Sequence, residues 1–104
     1  MTRDDVLANL RRALDTTLPL PGGGQTALRH RLLIGIARKN LSIARLAEAH
    51  FDAVAILAEA GRETESGALY GVWASEGVAS PIHLRQLEEG FAVSGCNYFV
   101  AAPD

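Results

Sequence analysis

The spacing of apolar residues changes character at Gly61. Before it, apolar side chains recur at three- and four-residue steps, as in Val6, Leu7, Leu10 and Leu14; after it they alternate with polar ones, as in Ile82 and Leu84 against His83 and Arg85. The first spacing gathers side chains on one face of a helix, and the second sorts them to the two faces of a strand. A chain of 104 residues with this order must build helices first and strands second. That is the order of an α+β fold. We therefore expect an N-terminal helical bundle domain over residues 1–65 and, over 66–104, the beginning of a β domain.

Local signals divide the helical part into three. A first helix is expected over residues 3–18, capped by Thr2, with Asp4 and Asp5 in the first turn where the helix dipole favours acids. The connector "PLPGGG" (19–24) ends it. Its glycines carry no Lys-Ser/Thr and follow no strand, so a phosphate-binding loop is rejected in favour of a linker. A second helix is expected from Thr26 to Lys39. A third is expected from Ser42, as N-cap, to Ala60, with Gly61 as the C′ residue and Leu41 and Leu46 as a hydrophobic staple. Asn40 marks the break, although one kinked helix fits the same pattern. Ile43, Leu46, His50, Val54 and Leu57 are the expected apolar face of the third helix, and its many alanines permit close helix approach. Beyond Gly61, "RETESG" reads as a loop, and strands are expected over 68–76, from 82, over "FAVSG" and over "CNYFVAA", with "EEG" as a turn. The last strand carries no charge between Glu89 and Asp104. Edge strands are usually charged or covered, so the β region reads as incomplete.

Charge and composition exclude several functions. A net charge of −2 and a pI of about 5.9 give no electrostatic footprint for nucleic acid. The uncharged stretch Ser66–Ser75 is half the length of a membrane span. The start "MTRDD" has no apolar run behind it, and the single cysteine, Cys96, can form no internal disulfide. A cytoplasmic protein is the resulting expectation, with no nucleic acid or membrane partner.

No constellation of side chains announces chemistry. His30, His50 and His83 have no metal partners at ligand spacing, so no metal site is expected. His50, between Leu46 and Val54, reads as a core or interface residue, and His83, beside Arg85, as part of a solvated face. Glu48 and Asp52 read as a solvated stripe, and Arg31, Arg38 and Arg45, at seven-residue intervals, as a solvated face or a subunit contact. Cys96, Ser75 and Ser80 have no general base beside them. Trp73 in "GVWASE" reads either as a core residue or as one wall of a site for a flat aromatic cofactor, with Ser75 as a hydrogen-bonding group.

Three segments, "LSIARLAEAHFDAVAILAEAG", "LYGVWASEGVASP" and "GFAVSGCNYFVAAPD", together resemble the acyl-CoA dehydrogenase family of flavoproteins. The resemblance covers residues 26–104; residues 1–25 match only in being helical. It implies FAD as cofactor, held against a first strand of a β-barrel-like middle domain at Trp73, Ala74 and Ser75 and against a second at Phe99, Val100 and Ala101. It places Ser80 near a family serine that touches the acyl-CoA substrate. Ser75 stands where threonine is usual and keeps the hydroxyl; Gly77 stands at a usual proline, and Asn97 at a usual lysine. Ala101 lacks the hydroxyl of the usual threonine or serine, a hydrogen bond worth about 1 kcal/mol.

The implied function is FAD-dependent α,β-dehydrogenation of an acyl-CoA thioester, with this chain as the N-terminal portion of the enzyme. The family's catalytic glutamate lies in a C-terminal helical domain beyond these motifs, so no catalytic residue is assigned here. The chain by itself is expected to be inactive and to bind FAD weakly or not at all. The remaining part of a split enzyme and oligomer partners are implied as well. The alternative is a small non-enzymatic interaction module that uses its alanine-rich helix face and open strand edge.

Overall fold

The computed structural model describes residues 2–72 and 82–95. Three helices, α1 (Arg3–Ala13), α2 (Thr26–Lys39) and α3 (Leu41–Glu59), precede two strands, β1 (His83–Leu87) and β2 (Gly90–Ser94). The fold is thus mixed α+β. It divides into two compact units, Met1–Gly71 and Val72–Asp104.

The α1 helix begins as the sequence dictates. The Thr2 hydroxyl accepts from the Asp5 backbone N–H (3.1 Å), and the Thr2 N–H donates to the Asp5 carboxylate (3.0 Å). This reciprocal capping box satisfies two otherwise orphaned donors. The Thr2 backbone N–H first, and the Thr2 hydroxyl second, hold the Asp5 carboxyl below its ordinary range. The helix stops at Ala13, five residues short of the expected end. Asp15, Thr16 and Thr17 follow, residues whose short polar or branched side chains favour non-helical backbone. The apolar step from Leu14 to Leu18 nonetheless keeps its purpose. Leu18 is buried in the core, reached by a non-helical path.

Asn40 separates α2 from α3. Its backbone is extended (φ −162°, ψ 112°), so two helices form rather than one kinked helix. It closes α2 by donating its N–H to Ile36 O (3.1 Å), and it opens α3 by accepting from the Ile43 N–H at its side-chain oxygen (3.1 Å). Asn40, not Ser42, is therefore the N-cap. Asparagine is among the strongest capping residues because its carbonyl reaches the N3 amide. The expected staple fails for the same reason: Leu41 is now the first helical residue and is 74% exposed.

The core lies where α1 and α2 both pack on α3. It consists of Leu10, Leu18, Ile43, Ala47 and Phe51, flanked by Val6, Leu32, Leu33 and Ile36 among others. On α3 the buried row is Ile43, Ala47 and Phe51, at four-residue steps. Of the expected face, only Ile43 belongs to that row; Leu46, His50, Val54 and Leu57 are half-buried beside it. The centre is Ala47, which is fully buried. A methyl side chain there lets helices approach closely, so the larger apolar groups fill the flanks. Among the described residues, one charge enters this unit's interior. Arg29, 8% exposed, donates to Pro19 O (2.9 Å) and to the Asp52 carboxylate (3.1 Å). It ties the 19–24 connector and α3 to α2.

The α3 helix ends in a Schellman motif. Gly61 takes a left-handed conformation (φ 71°) as the C′ residue, the Arg62 N–H reaches Leu57 O (2.8 Å), and the Gly61 N–H reaches Ala58 O (3.1 Å).

In the second unit, β1 and β2 form an antiparallel hairpin, with Leu84 opposite Val93 and Gln86 opposite Phe91. Glu88 and Glu89 make the turn, and Gly90 (φ 106°) takes the conformation that closes it. The strand expected over 68–76 is not formed in its described part, 68–72. The Ala68 N–H donates to Glu65 O, and the Tyr70 N–H to the ring of His50, so neither is free for a ladder. The strand expected over "CNYFVAA" lies outside the described residues.

Two substitutions test these contacts. Asn40→Ala removes the cap and should lower stability by about 1 kcal/mol, with Asn40→Ser retaining most of it. Asp52→Ala leaves a buried guanidinium with one partner and should cost about 1–3 kcal/mol. Urea midpoints read by helical circular dichroism measure both.

Candidate functional site

The residues assigned to flavin by resemblance, Trp73, Ala74, Ser75, Phe99, Val100 and Ala101, lie outside the described residues, as do Ser80 and Cys96. The described segments that lead to them are defined. One is the run from Gly61 to Val72, which leads into Trp73. The other is the hairpin, which leads into Cys96.

The first segment is folded back on the helices. At its middle, the Arg11 guanidinium donates to Gly67 O (2.8 Å). Gly67 takes a left-handed conformation (φ 79°) that aims this carbonyl outside any regular element. The Glu65 N–H donates to the Tyr70 hydroxyl oxygen (2.9 Å). The decisive tie is at Tyr70, whose backbone N–H donates to His50 Nδ1 (3.1 Å). His50 also sets its ring edge-on to Phe51 (5.9 Å between centroids) and near Tyr70 (6.0 Å). His50 is thus an anchor between the core and the strap that precedes Trp73. Its spacing from Leu46 and Val54 pointed to a core or interface position. Its partner could not be read from spacing, because Tyr70 is twenty residues away.

This tie requires a neutral imidazole, since Nδ1 must hold a lone pair toward the Tyr70 amide. Burial acts in the same direction, lowering the His50 pKa from its ordinary value near 6.5.

Some polar residues of the helical unit are paired. Arg45 and Glu48 form an exposed ion pair (3.4 Å) one helical turn apart, worth little in water. Asp52, expected on a solvated stripe with Glu48, is half exposed as Glu48 is, and also pairs with buried Arg29 (3.1 Å). Arg29 itself gave no signal in the sequence, because arginine at that spacing also fits an exposed face. In the hairpin, His83 and Arg85 are exposed on the same face, as expected. Among the described residues, no three His, Cys, Asp or Glu side chains converge on a point that would hold a metal ion. None of the described helices is long and apolar enough to cross a membrane.

No family model, curated protein or solved structure matches this chain.

The His50 tie has a pH signature. A histidine whose folded pKa is lowered contributes its full stability above the unfolded pKa, near 6.5, and loses it as pH falls toward the folded value. Stability should therefore decline as pH is lowered below about 6.5. In His50→Gln, whose amide oxygen still accepts from Tyr70, that part of the decline should vanish. Urea midpoints of the two proteins across this range give the measurement.

Proposed function

We propose that the chain is the N-terminal portion of an FAD-dependent oxidoreductase resembling the acyl-CoA dehydrogenases, acting in α,β-dehydrogenation of acyl-CoA thioesters. The order and spacing of three segments carry the reading: a helix ending at Gly61, "VWASEG", and "GFAVSGCNYFVAA". A hairpin directly before Cys96 supports it, because the last of those segments resembles a hairpin-and-strand motif of the family. So does the hairpin's apolar face. Leu84, Phe91 and Val93 are each at least 60% exposed, and a larger barrel-like sheet would cover them. A two-stranded hairpin alone is marginal in water.

In this reading Trp73, Ala74 and Ser75 form one wall of the flavin site, and Phe99, Val100 and Ala101 another. Ser75 supplies a hydroxyl donor, and Ser80 lies on the acyl-CoA side. FAD supplies the hydride chemistry when bound; the protein places it against the thioester and excludes water. The proton-abstracting base comes from a C-terminal helical domain contributed by a continuing or separate chain, and the protein works in the cytoplasm as an oligomer.

A second reading rests on the exposed apolar residues of the helical unit. Ile34 (51% exposed) and Leu41 (74%) adjoin one groove of α2 and α3, as in a small protein-interaction module.

A chimaera separates the two readings. The rest of a family enzyme is joined after Asp104, and the product is purified. Visible flavin absorbance at one FAD per chain and acyl-CoA-dependent dye reduction are expected, with neither in the 104-residue chain alone. A folded, colourless chimaera would reject the flavoprotein reading in favour of the module.

A further inference from the structure

The helical unit contains a cavity of about 530 Å³ that no part of the flavoprotein reading uses. Its volume is in the range of small-molecule sites. Buried Ile43, with Leu32 and Ile36, forms an apolar floor continuous with the core. Exposed Arg12 and Lys39 stand at the rim, and no carboxylate is among the lining residues. The Arg12 guanidinium is held by the side-chain oxygen of Asn9, also in the lining, which fixes its plane and leaves other N–H groups available. Among the described residues Lys39 has no ion-pair partner.

A second observation concerns Gly35. Glycine is a poor helix former, yet Gly35 sits in the middle of α2. Neither usual explanation applies. Its φ is not positive, and a methyl group placed on it would meet no atom within 4 Å. It does line the cavity. A methyl group there would therefore stand in open space at the cavity wall.

We propose that this cavity binds a small aliphatic carboxylate, with the anion on Arg12 and Lys39 and the hydrocarbon against Leu32, Ile36 and Ile43. The chemistry follows from the lining. Two cations without a counter-charge select an anion, and a purely aliphatic floor selects an aliphatic tail. Arg12 and Lys39 also complement the C-terminal ends of α1 and α2. That role is indifferent to Gly35, which makes the glycine the discriminating position.

Calorimetric titration of the 104-residue chain with hexanoate, 1-hexanol and inorganic phosphate tests the proposal. Saturable hexanoate binding is expected, with hexanol and phosphate each weaker by about tenfold or more, the loss expected for a missing charged or apolar anchor. Arg12→Gln combined with Lys39→Gln should weaken hexanoate about tenfold. Gly35→Leu should abolish binding while helical circular dichroism persists. If that variant does not fold, Gly35→Ala serves instead, expected to raise the thermal midpoint and weaken hexanoate. The proposal is overturned if hexanoate does not saturate, if hexanol or phosphate binds as tightly, or if binding survives both the charge and the glycine substitutions unchanged. None of these outcomes depends on whether the chain belongs to a flavoprotein.

Discussion

A single extended residue, Asn40, makes the helical unit possible. From Thr26 to Glu59 the sequence has helical spacing almost throughout, and an unbroken helix of that length would have no core of its own. With Asn40 extended, α2 folds back so that its apolar residues and those of α3 face each other. The asparagine then serves both helices at once, as amide donor to the last turn of one and side-chain acceptor for the first turn of the other. The core follows from this reversal. So does the burial of Arg29, whose two partners lie on the connector before α2 and on α3.

Much of this was legible in the sequence. The α2 limits, the Thr2 cap, the Gly61 terminus and the hairpin with its Glu88–Glu89 turn all follow from local chemistry that acts within a few residues. The errors have different causes: the end of α1 answers to the polar and branched residues after Ala13, the cap of α3 to a choice between two neighbouring capping residues, and its buried row to tertiary packing. Leu18 continued a helical spacing yet reaches the core from a loop. Ser42 and Asn40 are both good caps, and the sequence alone does not rank them. On α3, bulk suggested Leu46, His50 and Val54 as the inner face, but close approach of two helices favours the smallest side chain, Ala47, at the centre.

The site was legible to a different degree. Pairings such as His50 with Tyr70, Arg29 with Asp52 and Arg11 with Gly67 join residues from 20 to 56 positions apart. No periodicity encodes them. The flavin positions came from motif likeness, a kind of evidence independent of these contacts, and they stand on the sequence alone. Gly35 shows the converse: a residue that local propensity disfavours, in a helix that forms around it, where the reason must be sought outside the backbone.

The strap over residues 61–71 has a mechanical consequence. Because the Tyr70 amide is fastened to His50, tension on the chain at Gly71 is delivered to the middle of α3 and not to its last turn. Pulled from the end, a helix unzips one bond at a time. Loaded at its centre, beside Phe51 and one turn from Ala47, it must yield together with the packing behind it. The strap also takes load at Gly67 through Arg11, which shares the force with α1. The outgoing chain is thereby moored to the middle of α3 beside the core, and the last turn of α3 is spared that pull.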